Sequence, residues 1–228
     1  MKIAHYLKTV SVALGAVLLS ACAHQSGSKP YDYAAFRESR PASILVLPPL
    51  NESPEVKASA GMLSRVTFPL AESGYYVFPV ALVDEAFRQN GLTSPADIHA
   101  VSLEKLRSIF GADAVLYIKV TEYGTTYKVI ASETRVAAEG RLVDARTGAA
   151  LWSGQARASS AETQNNSSGG LIGALVTALM TQIADTLNDR GVAIAGLTSL
   201  RLLSAGTPNG ILYGPRSPKY QKDGSPAP

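Results

Sequence analysis

Ser43-Ile44-Leu45-Val46-Leu47-Pro48-Pro49 is the stretch on which the fold turns. A compact apolar run closed by prolines predicts a short buried strand that stops abruptly, because proline cannot donate to a ladder. The loop Asn51-Glu52-Ser53-Pro54 follows, and Val56 to Glu72 reads as a helix in which Pro69 marks a kink or an early end. Gly74 terminates it, and Tyr75-Tyr76-Val77-Phe78 reads as a second strand. Strand, helix and strand in that order predict an α/β first half.

The helices around this unit carry their own boundary signals. Leu82 to Asn90 is a short helix with Gly91 at its C-terminal end. Ser94-Pro95-Ala96-Asp97 places cap, proline and acid in the order that starts a helix. Another helix runs from about Ser102 to Phe110 and ends at Gly111. On the N-terminal side, Tyr31 to Arg40 forms a short helix or an ordered arm, with Tyr31, Tyr33 and Phe36 as apolar anchors.

The second half changes character. Val115 to Val120 is a strand whose alternation continues past Gly124 to about Tyr127. Arg135, Ala137, Glu139 and Arg141 alternate with Val136, Ala138, Gly140 and Leu142. After a turn at Ala145-Arg146-Thr147-Gly148, Trp152, Gly154 and Ala156 alternate with Ser153, Gln155 and Arg157. A period of two over three runs predicts an antiparallel meander with one packed face and one wet face. The basic and polar residues of the wet face read as a solvated sheet surface.

Glu162 to Gly170 is polar and reads as a loop. Leu171, Leu175, Leu179, Ile183 and Leu187 then recur every four residues, the stripe of an amphipathic helix. That helix covers the sheet, or it docks on a second copy, since Gly173, Ala174 and Ala178 permit close approach. From Thr207 the chain is rich in Gly, Pro and Ser and its end is expected to be disordered, although Ile211-Leu212-Tyr213-Gly214-Pro215 has the apolar content to dock first. The expected organisation is a single α/β (α+β) domain over residues 31–206 followed by a C-terminal tail over 207–228. Its mixed sheet contains the three-strand meander, with helices packed on one or both faces.

The first 30 residues decide where such a domain resides. Lys2, His5 and Lys8 precede an apolar run from Val10 to Leu19, which is too short for a spanning helix and has the flanks of a secretory signal peptide over residues 1–21. Leu19-Ser20-Ala21-Cys22 is a lipobox: small residues fit the lipoprotein signal peptidase, and the Cys22 thiol accepts a diacylglyceryl group. Acylation (palmitate) of the new amino group adds further chains, and each buried methylene contributes roughly 0.8 kcal/mol to anchoring. The competing reading is an ordinary signal peptide with a chance cysteine; position, flanks and cysteine count argue against it. Ala23 follows the cysteine where an aspartate favours inner-membrane retention, so the expected destination is the cell outer membrane. Residues 22–30 are small and polar, a tether between lipid and domain.

Charge and composition remove several classes of function. The chain has 21 basic and 18 acidic residues, and because the signal carries Lys2, Lys8 and no acid, the mature chain has 19 against 18. No Lys/Arg run appears, so a nucleic-acid partner has no electrostatic footprint. Cys22 is the single cysteine, which excludes an intramolecular disulfide. No stretch of about 20 apolar residues follows the signal.

Chemical motifs are sparse. The mature chain has two histidines, His24 in the tether and His99 on a short helix, where a lone histidine is expected to be structural or exposed. No G-x-S-x-G elbow, H-E-x-x-H or calcium loop is present. Asp84 and Glu85 are adjacent on a helix and point apart, while Glu72, Glu122 and Glu139 share a site only if the fold gathers them. Gly169-Gly170-Leu171-Ile172-Gly173 lacks the lysine of a phosphate loop. No catalytic, cofactor-binding or metal-binding residue is therefore assigned, and Cys22 is the one site residue, for lipidation.

Four segments carry a family likeness: Ser43 through Pro54 behind Tyr31-Asp32-Tyr33…Phe36; Pro69-Leu70-Ala71-Glu72-Ser73-Gly74-Tyr75-Tyr76-Val77-Phe78-Pro79-Val80; Gly111-Ala112-Asp113-Ala114-Val115-Leu116-Tyr117-Ile118; and Ile211-Leu212-Tyr213-Gly214-Pro215-Arg216. They resemble a bacterial lipoprotein family of unknown function that includes a meningococcal vaccine-candidate antigen. The resemblance covers essentially the whole mature chain. It implies an outer-membrane lipoprotein with an α/β domain similar to the N-terminal domain of TolB, and related domains in the curli-secretion lipoprotein and in a lipoprotein activator of a peptidoglycan synthase. It brings no catalytic residue, and fold likeness does not transfer function.

The expected function is a non-catalytic, periplasm-facing binding or assembly component of the cell envelope, held to the outer membrane through lipid on Cys22 and acting with other envelope proteins or lipoproteins. The alternatives are an envelope hydrolase or transferase built around His99, or a structural lipoprotein that forms a homo-oligomer through the Leu171–Leu187 helix. Display on the cell surface is the alternative to periplasmic exposure.

Overall fold

The double proline at 48–49 divides one strand line into two pieces, β1 (Ser43–Val46) and β2 (Leu50–Asn51), which both pair in parallel with β4 (Ala114–Tyr127). Backbone bonds bracket the break: Leu47 N–H donates to Leu116 O at 3.1 Å, and Glu52 N–H donates to Val120 O at 2.9 Å. Proline thus removes two ladder donors without ending the pairing. This is a computed structural model, and the structure describes residues 31–127, 132–162 and 190–223.

Around that line the elements follow in sequence. α1 (Ala34–Ser39) precedes β1, and α2 (Ala58–Glu72) crosses from β2 to β3 (Tyr76–Val77), which pairs in parallel with β1. α3 (Val80–Gln89), α4 (Pro95–His99) and α5 (Leu103–Phe110) lead to β4. Ser94 Oγ accepts from Ala96 N–H, Ser102 Oγ accepts from Lys105 N–H, and Gly111 closes α5 in the left-handed conformation. β5 (Ser132–Asp144) and β6 (Ala150–Ser159) complete an antiparallel meander with β4, giving the order β3-β1-β4-β5-β6.

Helices pack on both faces of the sheet. On one side α3, α4 and α5 bring Val83, Phe87, Ile98 and Leu106 onto Leu45, Leu47 and Val115. On the other, α2 and α6 (Arg190–Leu203) pack on each other and α6 lies over β5 and β6. Thr198 Oγ1 donates to Val136 O at 3.1 Å, stitching α6 to β5, while Met62, Leu70, Ile194 and Leu197 are buried. The mixed sheet with its three-strand meander is the α/β architecture that the alternation and the strand–helix order predict.

α2 reaches Glu72, the bound read from the sequence, without the early end allowed at Pro69, because the turn after the proline is held by Ser73, whose N–H and Oγ both reach Pro69 O. Other local outcomes differ from the sequence reading. Leu50-Asn51 forms a strand where a loop is expected, since the unpaired edge of β4 beyond Leu116 is available to it. The helix α6 is not signalled by any cap or clean stripe. The Leu171–Leu187 stripe, the loop before it, Cys22 and the tether lie outside the described residues.

The segment from Thr207 does not leave the domain; it packs back on it as far as Asp223. Trp152 Nε1, Tyr33 OH and Tyr75 OH donate to the carbonyl oxygens of Asn209, Gly210 and Leu212 at 3.0, 2.5 and 2.5 Å. Gly214 N–H donates to Ser73 O and Arg216 N–H to Gly74 O. Gly74 sits at φ +95°, and a Cβ on either Gly74 or Gly214 would run into the other segment's backbone, so the crossing requires glycine twice. Ile211 and Leu212 of this strap are buried. No helix among the described residues is long and apolar enough to cross a membrane.

Candidate functional site

The helical layer of α3, α4 and α5 covers the parallel half of its face, and no helix among the described residues covers the meander half. Strand register lines up Tyr117, Arg141 and Ser153 as one cross-strand row and Lys119, Glu139 and Gln155 as the next. These are the outward residues of the period-two pattern, so the same alternation that builds the core builds this surface. With Leu50 and His99 at its margin, the face forms a shallow depression of about 510 Å³.

Its electrostatics are set by short-range partners. Lys119 Nζ lies 3.1 Å from Glu139 and 3.4 Å from Glu52, and the Glu139 carboxylate holds the ammonium above its usual range. The Arg141 guanidinium stands 5.5 Å over the Tyr117 ring. Burial pushes the Tyr117 hydroxyl up, with Arg141 opposing. Among the described residues, neither the guanidinium of Arg141 nor the amide of Gln155 has a hydrogen-bond or ion-pair partner. A cation over an aromatic ring beside an unengaged amide is chemistry for recognising carboxylate and carbonyl groups.

His99 is structural. Its Nε2 is 2.9 Å from Pro48 O, and because a carbonyl only accepts, Nε2 carries the proton and Nδ1 is the basic nitrogen. The ring meets Tyr117 edge-on, with centroids 5.3 Å apart. Burial lowers the histidine pKa, and the Pro48 contact works against that shift. His99 therefore clamps α4 to the proline break between β1 and β2.

The carboxylates expected to meet only through the fold are not gathered into a ligand set. Among the described residues no group of three or more His, Cys, Asp or Glu is placed to hold a metal ion. Glu139 pairs with Lys119, whereas Glu122 lies with Glu133 and Arg135 farther along the meander. Cys22, His24 and Gly169–Gly173 lie outside the described residues.

A second cavity, of about 300 Å³, opens between α1 and the C-terminal strap. Phe36 and Leu212 line its base, and Arg37, Arg40, Tyr213 and Tyr220 stand around it. Burial, then the Asp223 carboxylate and Tyr220, push the neighbouring Tyr75 hydroxyl well above its usual value, so it stays a donor to Leu212 O. Sequence reasoning missed this cavity, because its walls come from opposite ends of the chain. The aromatic segment at 211–215 was the one available signal.

Comparison with known proteins agrees with this architecture. Residues 31–216 match the family described as "Putative lipoprotein GNA1162-like". Lipoprotein NMB1124/NMB1162 of Neisseria meningitidis serogroup B is 56% identical over 211 residues, covering 92% of this chain and 97% of that protein. The crystal structure of lipoprotein GNA1162 from Neisseria meningitidis is 59% identical with a TM-score of 0.51, covering 64% of this chain and 100% of that one. By its sequence and by its mixed α/β fold, the chain belongs to the GNA1162-like lipoprotein family.

Proposed function

We propose that this protein is an outer-membrane lipoprotein, anchored by acyl chains on Cys22, whose domain faces the periplasm and binds another envelope protein without performing chemistry. The observation that carries the binding half is the uncovered face of β4, β5 and β6, where Arg141 and Gln155 present unengaged donors beside Tyr117. A sheet face that the described residues leave open, while they cover the rest of both faces, is a surface on which a partner can bury area. The lipobox Leu19-Ser20-Ala21-Cys22 and membership of a lipoprotein family support the anchoring half.

The two halves are tested separately. A photoreactive residue at Gln155 crosslinks one envelope protein in living cells, Arg141→Ala reduces that product, and the same probe at Gln89 on α3 does not capture it. Equal capture at both positions, or none at Gln155, overturns the assignment of the face. Cys22→Ala abolishes palmitate labelling and releases the chain from the membrane fraction; retention of both in the variant overturns the anchor.

A further inference from the structure

The cavity beside α1 lies next to the start of the domain, and that start is tied to the anchor. Ten residue steps separate Cys22 from Asp32, the first residue of the domain. At ~3.3–3.6 Å per residue this tether reaches at most about 36 Å, so the α1 end is held close to whatever surface holds the lipid. That end is basic. Arg37 and Arg40 are exposed on the cavity wall. Lys219 and Lys222 are exposed on the strap, with Lys219 Nζ 5.4 Å from the centre of the Tyr213 ring. Of these cations Arg37 and Arg40 line the cavity; so does the Asp223 carboxylate, which accepts from Tyr213 N–H at 2.7 Å, while Lys219, Lys222, Asp32 and Glu38 stand outside it.

The aromatic content matches the charge. Tyr213 and Tyr220 are half-buried at the cavity, an amphipathic residue type that is common at membrane interfaces. Phe36 and Leu212 give the cavity an apolar base below the cationic rim. Two arginines beside an apolar base, with two lysines on the adjoining strap and a bilayer within reach of the tether, are complementary to phosphate on glycerol.

We propose that this face lies on the leaflet that holds the anchor and that its cavity takes the phosphate headgroup of an anionic phospholipid. The proposal rests on the anchoring reading above. Near an anionic surface each Lys or Arg strengthens attachment about fivefold. The attraction decays over a Debye length of about 8 Å, so it acts only when the face meets the leaflet, a contact that the tether permits.

The test uses the full chain purified from membranes and carrying a fluorophore on Gln221→Cys, with Gln89→Cys as control. It is reconstituted into vesicles of phosphatidylcholine, or of phosphatidylcholine and phosphatidylglycerol in equal parts, each with a headgroup-attached quencher. The expected result is quenching at 221 in the phosphatidylglycerol vesicles, reversed by salt and absent at 89. Neutralising Arg37, Arg40, Lys219 and Lys222 to Gln weakens it about fivefold per cation removed. The pair Lys219→Gln/Lys222→Gln, on exposed residues, covers the case in which the fourfold variant misfolds. Equal quenching in both lipids, equal quenching at both positions, or indifference to both variants overturns the proposal. Peptide mass spectrometry reads the anchor independently, because an unlipidated Cys22 would itself take the fluorophore. In that event the chain is added to the same vesicles: sedimentation with phosphatidylglycerol vesicles alone supports the headgroup site, and any other pattern overturns it.

Discussion

The indole of Trp152 lies so close over Gly154 that a Cβ at 154 would fall on the ring, and one at the cross-strand partner Gly140 would stand 3.2 Å from it. The two glycines form a slot in the packed face of the meander. Laid in that slot, the fully buried indole aims Nε1 at Asn209 O, 3.0 Å away. Sheet, helical layer and C-terminal strap meet at this ring.

Gly154→Ala forces the indole out of its slot and is expected to destabilise the domain by about 1–3 kcal/mol, with Gly140→Ala costing less because its contact is looser. Chemical denaturation followed by the fluorescence of Trp152, the single tryptophan, measures both. An unchanged midpoint in Gly154→Ala would contradict the slot.

Tyr75→Phe and Tyr33→Phe each remove a hydroxyl from a strap carbonyl at unchanged shape. Each is expected to cost about 1–3 kcal/mol, because the carbonyl of Leu212 or Gly210 is left without its donor. The strap then opens before the sheet does. Limited trypsin digestion after Arg216, Lys219 and Lys222 should accelerate in both variants while cleavage outside the strap is unaltered.

Asp144 organises the turn between β5 and β6, accepting from Ser39 Oγ, Arg146 N–H and Thr147 N–H at 2.5, 2.8 and 2.7 Å. Burial alone would raise this carboxyl; the Ser39, Thr147 and Arg146 donors outweigh it and hold it below the ordinary value. A depressed carboxylate contributes stability that is present above the unfolded pKa of about 3.9 and is lost as pH falls through the folded value. Asp144→Ala should therefore lose about 1.5–3 kcal/mol at neutral pH and show a shallower acid limb in urea titrations.

His99 acts over a different window. Its pKa is lowered by burial, so the unfolded chain takes up the proton first, and stability declines as pH falls from about 6.5 toward the folded value. His99→Gln retains a donor for Pro48 O and has nothing to titrate. Its stability should be flat across that window while the parent's slopes, and denaturation midpoints at several pH values decide the matter.

Period-two alternation is a direct image of the pleat, so the meander and its register face were legible in Arg135 through Leu142 and in Leu151 through Ala158. Caps were legible as well, since Ser94, Ser102 and Gly111 act through neighbours two to four residues away. α6 was not. Its buried set includes Ala193, Ile194, Ala195, Leu197, Thr198 and Ser199, so nearly every side of the helix is covered and no stripe remains to read. β2 escaped because two residues after a double proline carry no period. The open face was visible as a wet sheet side, but its limits depend on where α3, α4 and α5 stop covering it, which is a property of packing alone. Arg37 and Tyr220 are similarly uninformative until α1 and the strap are side by side.

The bond from Tyr33 OH to Gly210 O joins residues 177 positions apart. Such a contact forms only when both ends of the domain come together, so its loop-closure cost falls late in folding. Until then the bond from Tyr33 to Gly210 is not made, and Leu212 does not stand against Phe36. The domain therefore closes as one late event, and a chain truncated before Asn209 lacks the clasp that holds its two ends together.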